Sequence, residues 1–315
     1  MLKRVLVTDG MDASAVEKLR ADGYEVVEQF YEPDALGAAL RDFDAVIIRS
    51  ATKIKEPQID DAKGGQLKLI IRAGVGVDNI AVKYAESAGI AVRNTPRASS
   101  NAVAELALAL LFSCARNISI AGHTMRENKW EKKAYSKGFE LEGKTMGVIG
   151  FGRIGQTEGR IAKAMGMKVL AYDLYPNDSG REIAEYVDLD ALYARSDVIT
   201  LHCNLTPENT CMINRDSIAK MKDGVILINN ARGQLINEQD VADALNSGKM
   251  GAAGLDVVYT EPIRADNPLL QAKNCIITPH ISWAPKESRQ RIMDCAVSNV
   301  KAYLEGKPVN VVNLK

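Results

Sequence analysis

Short apolar segments alternate with helix-length amphipathic segments along almost the whole of this 315-residue chain. Apolar runs too short for helices and separated by helical patterns are typical of parallel β-strands joined by crossover helices. The alternation forms two series, so it predicts an α/β fold with two doubly wound parallel sheets. The predicted strands are Leu2–Thr8, Tyr24–Val27, Ala45–Arg49 and Lys68–Ile71 in the first series, and Met146–Gly150, Lys168–Tyr172, Val198–His202, Val225–Asn229, Gly254–Val257 and Ile276–Thr278 in the second.

A long helical segment rich in Ala and Leu, Ser100–Arg126, lies between the two series. Its apolar surface is too wide for one domain to cover. We therefore predict one helix that crosses into the second domain and also forms the contact of a homodimer. A final helix, about Lys286–Glu305, and an extended tail, Pro308–Asn313, are expected to return to the first domain. The predicted domains are residues 1–97 with 285–315, and residues 98–284.

The charges of the chain balance, with 40 Lys and Arg residues against 40 Asp and Glu residues. This balance indicates neither a nucleic-acid partner nor an anionic membrane partner. The most apolar run, Ala102–Ala115, is too short to span a bilayer, and the segment before Thr8 is too short for a signal peptide. The five cysteines are scattered without metal-ligand spacing, which favours a reducing compartment. We expect a cytoplasmic protein without a bound metal.

The most specific local motif is the glycine loop Gly150-Phe-Gly152-Arg-Ile-Gly155, which follows a predicted strand and precedes a helical pattern. In such a unit the first glycine permits a tight turn and the second lets a pyrophosphate approach the backbone. The third glycine lets the helix pack closely against the strand. The amino end of the helix then offers N–H groups to the phosphates. The motif predicts a dinucleotide site in the second domain.

Asp173 follows the next predicted strand of this unit, at the position where an acid accepts hydrogen bonds from the adenosine ribose. Its charge would also repel a 2′-phosphate, so Asp173 favours NAD over NADP as the cofactor. In the alternative interpretation, Asp173 only caps a turn before Tyr175 and Pro176.

Three residues with catalytic potential, Arg232, Glu261 and His280, follow strands of the second series. Ligands of open α/β sheets bind beyond the carboxyl ends of the strands, so all three can converge on a nicotinamide. His280 would remove a hydroxyl proton as a hydride leaves the adjacent carbon, and return it in the reverse direction. Glu261 would hold the second imidazole nitrogen, and Arg232 would bind a carboxylate or carbonyl oxygen.

Several sequence blocks in the correct order resemble the D-isomer-specific 2-hydroxyacid dehydrogenase family over nearly the whole chain. The blocks are Arg72-Ala-Gly-Val-Gly-Val-Asp-Asn79, Asn94-Thr-Pro96, Val103-Ala-Glu-Leu106, the glycine loop, Asn230-Ala-Arg-Gly233, Asp256 through Pro262, and Pro279-His-Ile281. The resemblance implies a flavodoxin-like substrate domain, a Rossmann NAD-binding domain and the same catalytic set. It also implies that backbone N–H groups of Val75 and Gly76 bind the substrate carboxylate.

On the cofactor side, the resemblance implies contacts of three kinds. Arg153 and Ile154 would meet the pyrophosphate, and Cys203 and Thr206 would line the adenine side. Asp256 would lie beside the nicotinamide carboxamide. Two further cofactor-binding residues, Asn230 and Ala231, complete this set.

The first half of the chain is most similar to the branch of the family that acts on 3-phosphoglycerate in serine biosynthesis. Arg49, Lys53 and Arg72 add positive charge there, which suits a phosphate group. The chain ends soon after the last helix, so we expect no regulatory domain. One departure, Trp283 after the catalytic histidine, would narrow the pocket or stack on an uncharged substrate. Reduction of hydroxypyruvate or glyoxylate is therefore the alternative activity, and NAD(H)-responsive binding without turnover is the alternative from another class.

Overall fold

The computed structural model describes residues 3–314 and divides the chain into two compact units. Unit 1 comprises Met1–Ser99 with Ala284–Lys315, and unit 2 comprises Ser100–Trp283. These limits lie within two residues of the predicted domain boundaries. Both units have parallel β-sheets, which confirms the predicted α/β class. Leu2, at the start of the first predicted strand, lies outside the described residues.

Unit 1 contains a five-stranded parallel sheet in the order β2-β1-β3-β4-β5. All four residues of β3, Ala-Val-Ile-Ile, are buried, because crossover helices cover both faces of a doubly wound sheet. The strand β5 was not predicted from the sequence. The strands are β1 (Arg4–Val7), β2 (Glu25–Glu28), β3 (Ala45–Ile48), β4 (Leu69–Arg72) and β5 (Ala91–Asn94), and the helices between them are α1 (Ala13–Ala21), α2 (Pro33–Leu40), α3 (Glu56–Ala62) and α4 (Val82–Ser87).

The end of the chain completes unit 1. The C-terminal helix, Lys286–Leu304, packs against β4, β5 and α1. The tail then forms an antiparallel bridge from Val311 to Arg93, and the N–H of Val312 donates to the carbonyl of Val92 at 3.0 Å. The prediction that the tail returns to the first domain as an extended segment is confirmed.

Unit 2 contains a seven-stranded parallel sheet in the order β12-β11-β10-β9-β6-β7-β8. The strand order reverses beside β6, and ligands of such sheets bind at the carboxyl ends of the strands around this point. The strands are β6 (Thr145–Ile149), β7 (Lys168–Tyr172), β8 (Glu185–Tyr186), β9 (Val198–Leu201), β10 (Val225–Asn229), β11 (Met250–Leu255) and β12 (Cys275–Ile277). The helices are α5 (Ser100–Arg116), α6 (Ile118–Arg126), α7 (Arg153–Ala164), α8 (Asp178–Arg181), α9 (Leu189–Arg195), α10 (Arg215–Ala219) and α11 (Glu238–Ser247).

The core of unit 2 lies on both faces of its sheet, as β10 illustrates. Val225 and Leu227 belong to one apolar cluster, while Ile226 and Ile228 belong to the cluster on the opposite face with residues of α5. This two-sided burial accounts for the continuous apolar runs in the sequence. The strand β11 begins earlier than predicted, because its first residues, Met250-Gly-Ala-Ala, carry little β-strand signal.

The prediction of one continuous helix over Ser100–Arg126 was wrong. Asn117 adopts a left-handed conformation, with φ of 55°, and the two helices on either side of it are bent by 67°. Asparagine tolerates this conformation better than most residues, so the chain turns there. In the described part of the chain, no single helix is long and apolar enough to cross a membrane, and only α5 and α6 taken together reach that length and composition.

Candidate active site

The glycine loop lies between the carboxyl end of β6 and the start of α7. Gly150 has φ of 91°, and a Cβ there would overlap the backbone nitrogen of Cys203. A Cβ on Gly155 would overlap the carbonyl oxygen of Gly150. Both positions therefore require glycine for close packing, whereas Gly152 has no atom within 4 Å of its Cβ position. The loop is thus tightly packed at Gly150 and Gly155 and open at Gly152, where a pyrophosphate would approach.

The residues around this loop fit NAD. Gly152 is the N-cap of α7, a helix of 12 residues, and Arg153 and Ile154 form its first turn. The amino end of such a helix attracts phosphate groups. At the end of β10, the side chain of Asn230 is 7% exposed, and neither atom of its amide has a hydrogen-bond partner among residues 3–314. A buried amide of this kind is satisfied when a polar ligand group binds beside it.

Asp173 joins the glycine loop to the turn after β7. Its Oδ2 accepts a hydrogen bond from the N–H of Phe151 at 2.7 Å, and its Oδ1 accepts one from the N–H of Tyr175 at 2.8 Å. The turn-capping interpretation of Asp173 is thus observed. Each carboxylate oxygen can accept a second hydrogen bond, so ribose binding by Asp173 is compatible with this role and stays a prediction.

Cys203 and Thr206 lie in the loop that follows β9, next to the glycine loop. Burial raises the pKa of the Cys203 thiol to about 11, so the side chain is a neutral thiol and not a nucleophile at ordinary pH. The N–H of Thr206 donates to Oδ1 of Asn209 at 2.8 Å, and the Thr206 side chain is exposed. A contact of Cys203 and Thr206 with the adenine stays a prediction.

Glu261 and His280 come into direct contact in unit 2. His280 follows β12 and Glu261 lies in the loop after β11, and Nδ1 of His280 is 2.9 Å from Oε2 of Glu261. This contact leaves Nε2 of the imidazole for a substrate. Burial by itself would raise the pKa of Glu261, but the hydrogen bond and charge of His280, the N–H of Val258 and the charge of Arg232 together lower it below 4.5. Glu261 is therefore a carboxylate that can orient the imidazole.

Arg232 is held close to this pair by the turn that follows β10. Its Nη1 donates to the carbonyl of Ala231 at 2.6 Å, and its own carbonyl accepts a hydrogen bond from Asn229 at 2.9 Å. A Cβ on Gly233 would overlap the carbonyl group of Val258, so the Arg232 turn packs directly on the loop that carries Glu261. The three predicted catalytic residues are thus grouped at one end of the sheet.

Asp256 is bonded to the segment that contains His280. Its side chain is fully buried, and its Oδ1 accepts hydrogen bonds from the Thr278 hydroxyl at 2.6 Å and from the Ile281 N–H at 2.9 Å. Its Oδ2 accepts one from the Ser282 N–H at 2.9 Å. These bonds do not test the predicted contact with the nicotinamide carboxamide, which stays a prediction. Asp256 also holds the segment that contains His280.

In unit 1, the predicted substrate residues follow neighbouring strands. Arg49 follows β3 and Arg72 ends β4, and both are half-buried, whereas Lys53 is exposed. Burial lowers the pKa of Arg49, despite the nearby carboxylates of Asp9 and Asp12, which leaves the guanidinium a cation at any ordinary pH.

The backbone of the loop at Val75 and Gly76 has the free donors that the prediction requires. The carbonyl of Val75 accepts a hydrogen bond from Asn94 at 2.7 Å. Among the residues that the structure describes, neither the N–H of Val75 nor that of Gly76 donates a hydrogen bond. Two N–H groups in this state suit a carboxylate.

Sequence reasoning missed the residues that support these loops. In unit 1, Asp9 accepts hydrogen bonds from the N–H groups of Arg49 and Thr52, and Asn79 donates to the carbonyls of the same two residues at 2.7 Å. The position of Asp9 directly after β1, at the sheet edge that also carries Arg49, was the available signal. We gave it no role.

A second missed residue, Glu158, lies on α7 in unit 2. Its Oε2 contacts Nε2 of His202 and the hydroxyl of Thr200, and the side chains of Glu158 and His202 are 0% and 1% exposed. His202 thus has a buried carboxylate partner on the helix that begins at the glycine loop. In residues 3–314, no group of three or more His, Cys, Asp or Glu side chains is placed to hold a metal ion.

A dinucleotide loop and an imidazole–carboxylate pair beside a guanidinium, all in one α/β unit, define an NAD-dependent dehydrogenase. A family model described as "D-isomer specific 2-hydroxyacid dehydrogenase, NAD binding domain" matches residues 108–282 of this chain. The chain belongs to the D-isomer-specific 2-hydroxyacid dehydrogenase family, and the predicted resemblance is confirmed.

Named relatives agree with this assignment. Hydroxypyruvate reductase from Blautia hydrogenotrophica is 55% identical over 245 residues, which cover 76% of each chain. Hydroxypyruvate reductase from Thermotoga maritima is 46% identical over 292 residues, 92% of this chain and 94% of that one. D-3-phosphoglycerate dehydrogenase from Archaeoglobus fulgidus is 40% identical over 99% of this chain, which spans 59% of that relative.

A solved structure of D-lactate dehydrogenase from Aquifex aeolicus, complexed with NAD and lactic acid, has a TM-score of 0.88 and 30% identity. The match covers 99% of this chain and 100% of that one. Together with the family model, it supports NAD as the cofactor. The chain is therefore an NAD-dependent D-2-hydroxyacid dehydrogenase, and the alternative of binding without turnover has no support among these relatives.

Proposed function

We propose that this enzyme reduces hydroxypyruvate to D-glycerate with NADH, and catalyses the reverse oxidation. The observation that carries this choice is the name shared by two relatives that are 55% and 46% identical. From the sequence alone we favoured the phosphorylated substrate. The bulky Trp283 next to the predicted catalytic histidine also suits a substrate without a phosphate group.

In this reaction NADH supplies a hydride to C2 of the substrate, and the protein supplies a proton to the carbonyl oxygen. We assign the proton transfer to Nε2 of His280, because Nδ1 faces Glu261 at 2.9 Å. The carboxylate of Glu261 fixes the tautomer and stabilises the protonated imidazole. Arg232 binds and polarises oxygen atoms of the 2-oxo acid. In unit 1, the N–H groups of Val75 and Gly76 bind the substrate carboxylate.

The test is NADH consumption by the purified enzyme with hydroxypyruvate, glyoxylate, pyruvate and 3-phosphohydroxypyruvate. We expect the highest kcat/KM with hydroxypyruvate, and loss of activity in His280→Ala. A preference for any of the other three compounds would refute the proposed substrate. Turnover that survives in His280→Ala would refute the proton-transfer role.

A second candidate substrate is 3-phosphohydroxypyruvate, and the positive charge of unit 1 favours it. Arg49 follows β3 and Arg72 ends the neighbouring strand β4, and the relative from Archaeoglobus fulgidus is named D-3-phosphoglycerate dehydrogenase. If Arg49 binds a phosphate, Arg49→Ala raises KM for the phosphorylated compound much more than KM for hydroxypyruvate. An equal effect on both compounds would assign Arg49 to a group that they share.

We also propose that the enzyme is a homodimer through α5 and α6. Phe112 on α5 and Ile118, Ile120 and Met125 on α6 are between 42% and 57% exposed, and exposed apolar side chains this close in sequence favour a protein contact. Sedimentation velocity should give a dimer for the wild type and a monomer for the double variant Ile118→Glu, Met125→Glu. A monomeric wild type at micromolar concentration would refute the proposal.

A further inference from the structure

Both backbone polar groups of His280 are bonded within unit 2. Its N–H donates to the carbonyls of Asp256 at 2.8 Å and of Thr278 at 3.0 Å. Its carbonyl accepts a hydrogen bond from the indole Nε1 of Trp283 at 2.9 Å. His280 thus lies in a short turn that is closed by these backbone and indole hydrogen bonds.

The backbone of His280 is left-handed, with φ of 52°. A residue with a Cβ adopts this conformation only when surrounding contacts compensate for its steric cost. The backbone dihedral angles set the direction of the side chain, so the contact of the imidazole with Glu261 depends on this turn. The side chain of Asp256 fixes the same segment by accepting hydrogen bonds from Thr278, before His280, and from Ile281 and Ser282, after it.

We propose that Trp283 is a positioning residue that keeps His280 in its reactive orientation through the indole N–H. This role differs from that of a pocket wall, because a wall would select among substrates. Loss of a positioning contact lowers the rate for every substrate to the same degree. The inference rests on the proposed role of His280 in proton transfer.

The sharpest test removes the N–H and keeps the shape of the ring. The chain has two tryptophans, at positions 130 and 283, so the Trp130→Phe protein carries tryptophan at position 283 alone. This protein is produced once with tryptophan and once with 3-benzothienylalanine, in which sulfur replaces the N–H. We expect kcat to fall about fivefold with the analogue for hydroxypyruvate and glyoxylate alike, the effect of losing one ordinary hydrogen bond. The Kd of NADH should not change.

A second comparison uses the same two proteins with His280→Ala added and imidazole supplied in solution. Free imidazole is not attached to the turn, so the analogue should leave the rescued rate unchanged. The inference is overturned if the analogue leaves kcat unchanged while His280→Ala is inactive. It is also overturned if the analogue alters the preference between the two substrates, or if its effect persists in the rescued protein. A fully active His280→Ala would instead overturn the proposed proton-transfer role itself.

Discussion

Nδ1 of His280 lies 2.9 Å from Oε2 of Glu261, although the two residues are 19 positions apart and follow different strands. The contact determines which imidazole nitrogen is available for chemistry. With Nδ1 bound to the carboxylate, Nε2 is the nitrogen that can exchange a proton with a substrate. An isolated imidazole on a loop would sample both orientations, so the pairing converts an ordinary side chain into a directed acid and base.

The first prediction concerns the charge of Glu261. The pKa of Glu261 is lowered below 4.5. The side chain is therefore ionised at pH values above 4.5, and it loses its negative charge only as the pH falls through the lower pKa of the folded state. A ¹³C NMR titration of the glutamate carboxyl groups, with Glu261→Gln to assign the signal, should give a midpoint below 4.5. The Gln variant should also lose about 100-fold in kcat, within the range of general acid–base contributions. A midpoint above 4.5 would contradict the prediction.

The second prediction separates binding from folding at the glycine loop. Gly152→Ala places a methyl group in open space, so the melting temperature should stay within about a degree or two of the wild-type value. The Kd of NADH should rise at least about tenfold, because the pyrophosphate must approach the backbone closely at this position. Gly122→Ala, also in open space but on α6, is the matched control: it should leave the Kd of NADH unchanged, and its melting temperature should not fall, because alanine is more favourable than glycine inside a helix. Equal NADH affinity in both variants would show that Gly152 does not face the cofactor.

The third prediction concerns Asp9, which accepts hydrogen bonds from Arg49 and Thr52 in unit 1. Asp9→Ala releases this loop and should raise KM for the 2-oxo acid about tenfold, because more than one hydrogen bond is lost. The Kd of NADH should be unaffected, because we assign the NADH-binding site to unit 2. Asp12→Ala, which removes a nearby charge without removing these bonds, is the control. A rise in the Kd of NADH would count against the assignment of this loop to the substrate.

The setting of the glycine loop and the grouping of Arg232, Glu261 and His280 could be predicted from the sequence because they follow local rules. Glycine spacing in a strand–turn–helix unit has few structural solutions, and the ends of parallel strands meet at one edge of the sheet. Arg232, Glu261 and His280 needed only the approximate ends of their strands. An error of a few residues at β11 therefore did no harm to the prediction of the site.

The supporting contacts could not be read in this way, because they join residues far apart in sequence. Asn79 reaches back 30 positions to Arg49, and Asp256 reaches forward 25 positions to Ile281. The supporting role of Asp256 was missed because an acid near a cofactor suggests a ligand contact, and its bonds to Thr278, Ile281 and Ser282 are seen only in the structure. The bend at Asn117 was missed because the flanking helical patterns are strong on both sides.

The last prediction concerns the buried pair of Glu158 and His202. Both side chains are almost completely excluded from solvent. A buried polar group that loses its partner destabilises the folded state far more than an exposed group does. Glu158→Ala should therefore lower the free energy of unfolding by about 3–5 kcal/mol, the range for removing one member of a buried pair. Replacing the solvent-exposed Glu185, which pairs with Arg195 at 2.8 Å, should change it little. Urea denaturation of both variants and the wild type makes the comparison. The triple variant Glu158→Leu, Thr200→Val, His202→Leu should recover part of the loss, because it removes all three polar side chains of this buried cluster together. If Glu158→Ala were no less stable than the Glu185 control, the pair would not hold α7 to the sheet, and support of the glycine loop would have to come from the packing of Gly150 and Gly155 alone.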